Sequence, residues 1–311
     1  MRIGIDLGGT KIESILMDAR GAIFARRRVD APRFDYSETV AMLVRVAEAC
    51  DAEAGRRCAV GIGTPGAWEA SIGAMKNCNS TWLNGRPLVS DLERRLGPRV
   101  RIANDADCFA LSEARDGAGA GACGVFGVIL GTGVGGGIVI DGELLRGANG
   151  IAGEWGHTPL PYLRADALAS QEVREQEARL ADRACYCGRK NCVETFLSGP
   201  GLARTHRELG GDDATALEIA ARDDPIAVAT LALYACQLAR ALAQIVNVID
   251  PHVVVLGGGL SNIDALYETV PRLWQRYVFS ARVATRLERA RHGDASGVRG
   301  AAWLWPADYT F

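Results

Sequence analysis

The chain has 311 residues, 48% of them apolar and 23% charged, with a formal net charge of −2 and a pI near 6.1. These values suit a globular protein of roughly two domains with a substantial core. They exclude the strongly basic surface that duplex DNA or an anionic membrane would demand, so the expected partners are small molecules, with no nucleic acid and no membrane.

Apolar periodicity starts at Ile3, directly after Met1 and Arg2, which leaves no room for a secretory leader and makes a cytoplasmic location the expectation. Residues 2–6 read as a strand, LGGT as a turn and residues 12–17 as a returning strand, a hairpin with glycines at its tip. Helical spacing follows over 37–54, and strand character returns at 60–63 before the breaker TPG. A short strand over 99–103 leads into NDADCFALSEA, where Asn104 or Asp105 can cap a helix carrying Phe109, Leu111 and Ala114. Residues 123–140 are uncharged, but seven of them are glycine, so two strands joined by a loop fit better than a membrane span. This second glycine hairpin, with strands over 125–130 and 137–140, has a layout resembling the first.

The Asp-, Glu- and Arg-rich stretch 164–183 reads as a solvated helix or excursion. A long helical pattern over 225–250 precedes the strand 253–256 and three glycines, and a further helix follows Asn262. Alternation of this kind indicates an α/β fold. The expected division is a smaller α/β domain over 1–117 with 293–311, and a larger one over 118–292.

DLGGTK groups a carboxylate, two glycines, a hydroxyl and an ammonium within six residues at a hairpin tip. Gly8 and Gly9 let the backbone approach an anion and present N–H groups, Thr10 adds a donor and Lys11 a positive charge, while Asp6 can hold magnesium directly or through water. It is not a P-loop, because Thr10 separates Gly9 from Lys11. GTGVGG at 131–136 matches GxGxxG, yet it leads into a strand where a dinucleotide fold requires a helix. Read as a second hairpin loop, Gly131, Thr132 and Gly133 grip phosphates instead, and Gly257, Gly258 and Gly259 leave a slot for a nucleoside between strand and helix.

Six of the nine cysteines are scattered and read as small reduced core residues. Cys185, Cys187 and Cys192 instead form C-x-C-x4-C around Gly188, a spacing that directs three thiolates at one tetrahedral ion, with His157 in GEWGH as the best fourth ligand. The ion expected is structural zinc, since four protein ligands leave no open position for water.

Taken together, DLGGTK, GIGTPG, NDADCFALSEA, ILGTGVGGG, GEWGH, CYCGRKNCVE and LGGGLSN resemble the ROK sugar kinases of the actin-like ATPase superfamily over essentially the whole chain. The resemblance implies a two-lobed, ribonuclease H-like α/β fold with mixed sheets, glycine hairpin phosphate loops and a zinc-pinned loop. It implies ATP and Mg2+ as cofactors, Zn2+ held by His157, Cys185, Cys187 and Cys192, and a homodimer. Asp105 becomes the catalytic base, and sugar contacts fall to Gly66, Asn79, Ser80, Thr81, Asn104, Asp105, Glu154, His157 and Glu194. Two positions depart from the family pattern: Asp107 replaces the commoner Asn, and Asn191 replaces a glycine, a change that Asn's tolerance of left-handed backbone accommodates. The run NSTWLNG and the tail HGDASGVRGAAWLWP resemble bacterial fructokinases, so D-fructose is the expected hexose, with N-acetylglucosamine kinase and glucokinase as alternatives. A ROK transcriptional regulator is disfavoured, because DLGGTK begins at residue 6 with no helix-turn-helix ahead of it.

Overall fold

The computed structural model, which describes residues 1–306 and 309, is built of both strands and helices. Its first half runs β1 (Arg2–Leu7), β2 (Lys11–Met17), β3 (Ile23–Asp30), α1 (Tyr36–Ala54), β4 (Ala59–Thr64), β5 (Ala67–Glu69), β6 (Ala74–Lys76), α2 (Leu88–Leu96), β7 (Val100–Asn104) and α3 (Asp105–Asp116). The strands β8 (Gly124–Leu130), β9 (Val134–Ile140) and β10 (Glu143–Leu144) follow, then the helices α4 (Gln171–Ala178), α5 (Glu194–Leu197), α6 (Gly199–Glu208), α7 (Ala216–Ala220) and α8 (Pro225–Ile249). β11 (Val253–Gly257), α9 (Leu266–Trp274), β12 (Arg286–Arg289) and α10 (Ser296–Trp303) complete the chain.

Two five-stranded sheets share one plan. The first has the order β3-β2-β1-β4-β7 and the second β10-β9-β8-β11-β12. In the first, β3, β2 and β1 pair antiparallel while β1, β4 and β7 are parallel, so the sheet is mixed; in the second, β8, β11 and β12 are parallel. The likeness between the two glycine hairpins therefore extends to whole sheets. Two compact units are distinguished: one of Met1–Gly121, Gly137–Ala152 and the chain from Arg291, the other of Ala122–Gly136 and Gly153–Ala290. Of the expected C-terminal segment, residues 307, 308, 310 and 311 lie outside the described residues.

Local chemistry sets the helix limits. Asp35 caps α1 by accepting the Glu38 N–H at 2.9 Å, and Gly55, at φ +65°, ends it. Asp224 caps α8, with Pro225 at its first position, where a missing N–H costs nothing. Among the described residues α8 alone is long and apolar enough to cross a membrane, but 72% of its apolar window is buried inside the protein, so it is a core helix.

The first unit is closed by α10. A Cβ on Gly4 would lie 2.1 Å from the Val298 carbonyl oxygen, and one on Gly61 only 1.7 Å from that of Ala301. On the helix itself, a Cβ at Gly300 would come within 1.6 Å of the Cys108 carbonyl oxygen on α3. Glu113, fully buried, ties α3 to the chain entering α10: its carboxylate accepts from Ala118 N (2.9 Å), Arg291 N (3.0 Å), His292 N (3.2 Å) and Ser296 Oγ (2.8 Å). Four donors offset the cost of burying that charge.

Two expectations need correction. The stretch 164–183 is not simply solvated, because Asp166, Glu177 and Arg183 are buried. Glu177 and Asp166 face Arg240 of α8, and Tyr277 Oη donates to Asp166 at 2.7 Å. Charge density alone does not distinguish a wet surface from a compensated ionic core, since both use the same residue types. Among the scattered cysteines Cys50, Cys58, Cys78, Cys108 and Cys236 are buried and reduced, but Cys123 is exposed.

Replacing Gly61 by Ala should destabilise the first unit by about 3 kcal/mol, because the added methyl must push α10 off β4. Urea unfolding of the variant measures this, and a midpoint equal to that of the parent would contradict the packing described.

Candidate functional site

In the first unit, Asp6 of β1 pairs in register with Gly63 of β4, and Thr64 of β4 with Asn104 of β7. The carboxyl ends of three adjacent parallel strands therefore present Asp6, Thr64 and Asn104 side by side, at the edge where open parallel sheets gather ligands. Between β1 and β2 the chain turns at Gly8, Gly9 and Thr10, closed by Gly8 N donating to Lys11 O at 3.0 Å. Asp6, Gly8, Gly9, Thr10, Asn79, Ser80, Thr81 and Asp105 line one cleft of about 490 Å3. Lys11 begins β2 and Gly66 sits one residue behind the cleft wall, so neither lines it. Gly66 packs on Cys78: a Cβ there would stand 2.6 Å from both Cys78 Sγ and Lys76 O.

Asn104 caps α3 by accepting the Asp107 N–H at 2.6 Å, which leaves Asp105 as the exposed first residue of the helix. One Asp105 oxygen accepts from Ala106 N at 2.8 Å. Asp6 is half-buried at the strand end. Burial first, then the charges of Asp105 and Glu13, push its pKa up to about 6 against a smaller opposing pull from Arg28.

The loop carrying Asn79, Ser80 and Thr81 is held at both ends. Asn84 Oδ1 accepts from Cys78 N at 2.8 Å and its Nδ2 donates to Cys78 O at 3.2 Å, while Asn79 N donates to Pro65 O at 3.2 Å. Arg33, Phe34 and Trp82 also line the cleft, and the rings of Phe34 and Trp82 meet edge-on at 5.2 Å. No periodic pattern marks Arg33 or Phe34, since they sit in a turn between β3 and α1 where Phe34 has a left-handed φ of 63°.

In the second unit the turn Gly131–Gly133 joins β8 to β9, with Gly131 N donating to Gly133 O at 3.0 Å. Glu194, first residue of α5, grips this turn: its Oε2 accepts from Val134 N at 3.0 Å, and a Cβ on Gly133 would come within 2.7 Å of the same oxygen. A second pocket, of about 600 Å3, opens beside the turn and is lined by Gly131, Thr132, Gly199, Pro200, Gly259 and Leu260, among others. Of the three glycines expected to form a nucleoside slot, Gly259 lines this pocket. Gly257 ends β11, and Gly258, at φ +80°, lies against Leu130, where a Cβ would be 2.4 Å from the carbonyl oxygen.

The remaining wall, Ala203, Arg207 and residues 213–218, is not anticipated by the glycine motifs. Its signals are ordinary helix starts, Ser198 before Gly-Pro and the Thr215–Glu218 capping box, which announce helices and not a pocket.

The cysteine loop forms the third cluster. His157, Cys185, Cys187 and Cys192 have their donor atoms within 4.8 Å of one another. His157 Nδ1 lies 3.5 Å from Cys185 Sγ, and Cys187 Sγ lies 3.6 Å from Cys192 Sγ. A tetrahedron with metal–sulfur bonds of about 2.3 Å has edges of roughly 3.8 Å, so the four donors fit a zinc ion. Asn191 takes the left-handed φ of 57° that a glycine would supply. His157 Nε2, on the far side of the ring, is 2.8 Å from Tyr186 Oη, a partner the spacing of cysteines does not reveal. Glu154 precedes the single 3-10 turn that carries His157.

The sequence matches the ROK family over residues 2–308. It is 41% identical to the N-acetyl-D-glucosamine kinase of Photobacterium profundum, over 98% of this chain and 99% of that one, and 40% identical to the enzyme of the same name from Pasteurella multocida, over 98% and 99%. Among solved structures, the ROK hexokinase of Thermus thermophilus superposes with a TM-score of 0.78 at 31% identity, covering 97% of this chain and 96% of the other. A ROK family glucokinase from Streptomyces griseus, in complex with glucose and AMPPNP, gives 0.74 at 28% identity over 97% and 98%. The fold is the expected actin-like ATPase architecture with mixed sheets, and a sugar kinase is supported. The fructose expectation is overturned: these close relatives, similar along the full chain, are N-acetyl-D-glucosamine kinases, whereas the fructokinase likeness rested chiefly on Ser80, Thr81 and Trp82 in one loop.

Because the folded state holds the Asp6 proton up to about pH 6 while the unfolded chain releases it near 4, stability should fall as pH rises through that window. Asp6→Asn removes this loss. Its melting temperature should match the parent near pH 3.5 and exceed it at pH 7; equal curves at both pH values would show that Asp6 carries no such strain.

Proposed function

Since the chain belongs to the ROK family, we propose that it transfers the γ-phosphoryl group of ATP to a hydroxyl of N-acetyl-D-glucosamine. The observation that carries the kinase reading is that Asp105 lines the same cleft as Asp6 and the first glycine turn. A carboxylate beside a phosphate loop meets the two needs of phosphoryl transfer to an alcohol, a proton acceptor and a cradle for anionic oxygens.

A sugar hydroxyl is far too weak an acid for a carboxylate to ionise in advance. Asp105 orients it, and accepts its proton late, as the sugar oxygen bonds to the γ-phosphorus and the bond to the bridging oxygen of departing ADP breaks. Gly8, Gly9 and Thr10 of the first unit, and Gly131, Thr132 and Gly133 of the second, each offer backbone and hydroxyl donors suited to phosphate oxygens. Asn79, Ser80, Thr81 and Asn104 of the first unit suit hydrogen bonds to sugar hydroxyls, and Glu154, His157 and Glu194 of the second carry groups of the same kind. The 600 Å3 pocket beside Gly131 and Gly259 takes the nucleoside.

Asp6 suits a magnesium ligand, directly or through water, because burial and Asp105 leave its charge poorly compensated, a repulsion that a cation relieves. Bound there, magnesium would neutralise charge on the phosphate oxygens. The His157–cysteine cluster suits structural zinc, which would hold the 185–192 loop in place.

A kcat/KM comparison over N-acetylglucosamine, glucose, mannose and fructose tests the substrate, and N-acetylglucosamine should lead. A clear lead for any other sugar refutes it. Independently, Asp105→Asn should lower kcat by roughly 10² to 10⁴ while sugar binding by calorimetry changes little; turnover near the parent's would remove Asp105 from its role.

A further inference from the structure

Arg183 stands two residues before the cysteine loop and is 1% exposed. Its backbone is locked to the residue preceding Cys192: Asn191 N donates to Arg183 O at 2.8 Å, and Arg183 N donates to Asn191 Oδ1 at 2.8 Å. Its guanidinium reaches the opposite way. Nη1 donates to Thr195 O at 2.7 Å and Gly201 O at 3.1 Å, and Nη2 to Thr205 Oγ1 at 2.9 Å and Glu208 Oε2 at 2.6 Å. The guanidinium carbon also lies over the Phe196 ring, 4.1 Å from its centroid.

Three of those acceptors, Gly201, Thr205 and Glu208, belong to α6. That helix begins at Gly199, whose N–H donates to Gly131 O of the second phosphate turn at 2.8 Å, and its Gly199, Pro200, Ala203 and Arg207 line the 600 Å3 pocket. Glu194, two residues past Cys192, holds the other end of the same turn through Val134 N. A buried guanidinium is a costly way to fill space, and apolar side chains of similar volume do so at less cost. What the planar fork adds is direction: it sets the cysteine loop and α6 in one fixed relation.

We propose that Arg183 is a positioning residue that couples the His157–Cys185–Cys187–Cys192 cluster to the pocket, so that metal in the cluster and nucleotide in the pocket each tighten the other's binding. This rests on the reading that the nucleotide occupies that pocket. The loop between Cys185 and Cys192 has no apolar core beyond its thiols, so metal orders it, and with it the backbone of Arg183 and Asn191. A nucleotide then meets an α6 whose ordering has already been imposed through the guanidinium. By linkage, nucleotide must favour metal by the same factor.

The full chain tests this with zinc and ADP as probes. ADP affinity is measured by calorimetry on zinc-loaded and zinc-stripped protein, and zinc affinity by competition with a chromophoric chelator, with and without ADP. The parent should show the same factor in both directions, roughly five-fold or more. Arg183→Lys, which keeps the charge but loses the fork, should still bind each ligand while the factor falls towards one; Glu208→Gln should reduce it in the same sense and serves if the lysine variant does not fold. A purely structural role would lower stability and leave the factor unchanged. A factor of one in the parent, or an undiminished factor in both variants, overturns the proposal. Ala203→Trp should abolish ADP binding in either metal state. If it does not, the pocket assignment fails and this proposal with it, whereas blocked binding together with a factor of one in the parent defeats the coupling alone.

Discussion

The first unit depends on a backbone-to-backbone contact that side chains would forbid. α10 lies on β1, β4 and α3 because Gly4, Gly61 and Gly300 carry no Cβ where carbonyl oxygens pass within 1.6–2.1 Å of the place one would occupy. With the sheet and α3 pressed together in this way, the ends of β1, β4 and β7 stay in register, and Asp6 and Asp105 share one cleft. Burial at that strand end raises the pKa of Asp6 most, and the nearby charge of Asp105 adds to it.

The second unit is organised differently. Beside an apolar core it carries buried ion pairs, Arg240 with Glu177 and Asp166 and Arg183 with Glu208, and the partly exposed His157–cysteine cluster. Of these, Arg183 reaches α6, which lines the 600 Å3 pocket and hydrogen-bonds the second glycine turn. Directional contacts define the position of a loop more narrowly than apolar packing does, which suits walls made of short helices and turns.

Legibility varied with the kind of constraint. The two hairpins, a helix cap at Asn104 or Asp105 and the cluster of one histidine and three cysteines were legible because each depends on neighbours close in sequence: glycines at a tip, a capping side chain three residues from its donor, thiols spaced around Gly188. The fructose expectation failed because a few residues in one loop cannot outweigh similarity along the whole chain. The burial of Asp166 and Glu177 was hidden because their partners, Arg240 and Tyr277, lie far along the sequence.

By itself, then, the sequence determined the α/β alternation, both glycine turns, the strand-end carboxylates and the donor set for a metal, since all of these follow from local backbone and side-chain chemistry. Only the tertiary structure decided that Gly66 and Gly258 serve packing, that Gly259 reaches the pocket wall, that Arg33, Phe34 and the chain from Gly199 to Glu218 complete the cavities, and that Tyr186 meets His157. The reason is distance along the chain. Each of those assignments is a contact between separate elements, and which of them meet depends on how sheets, helices and glycines pack.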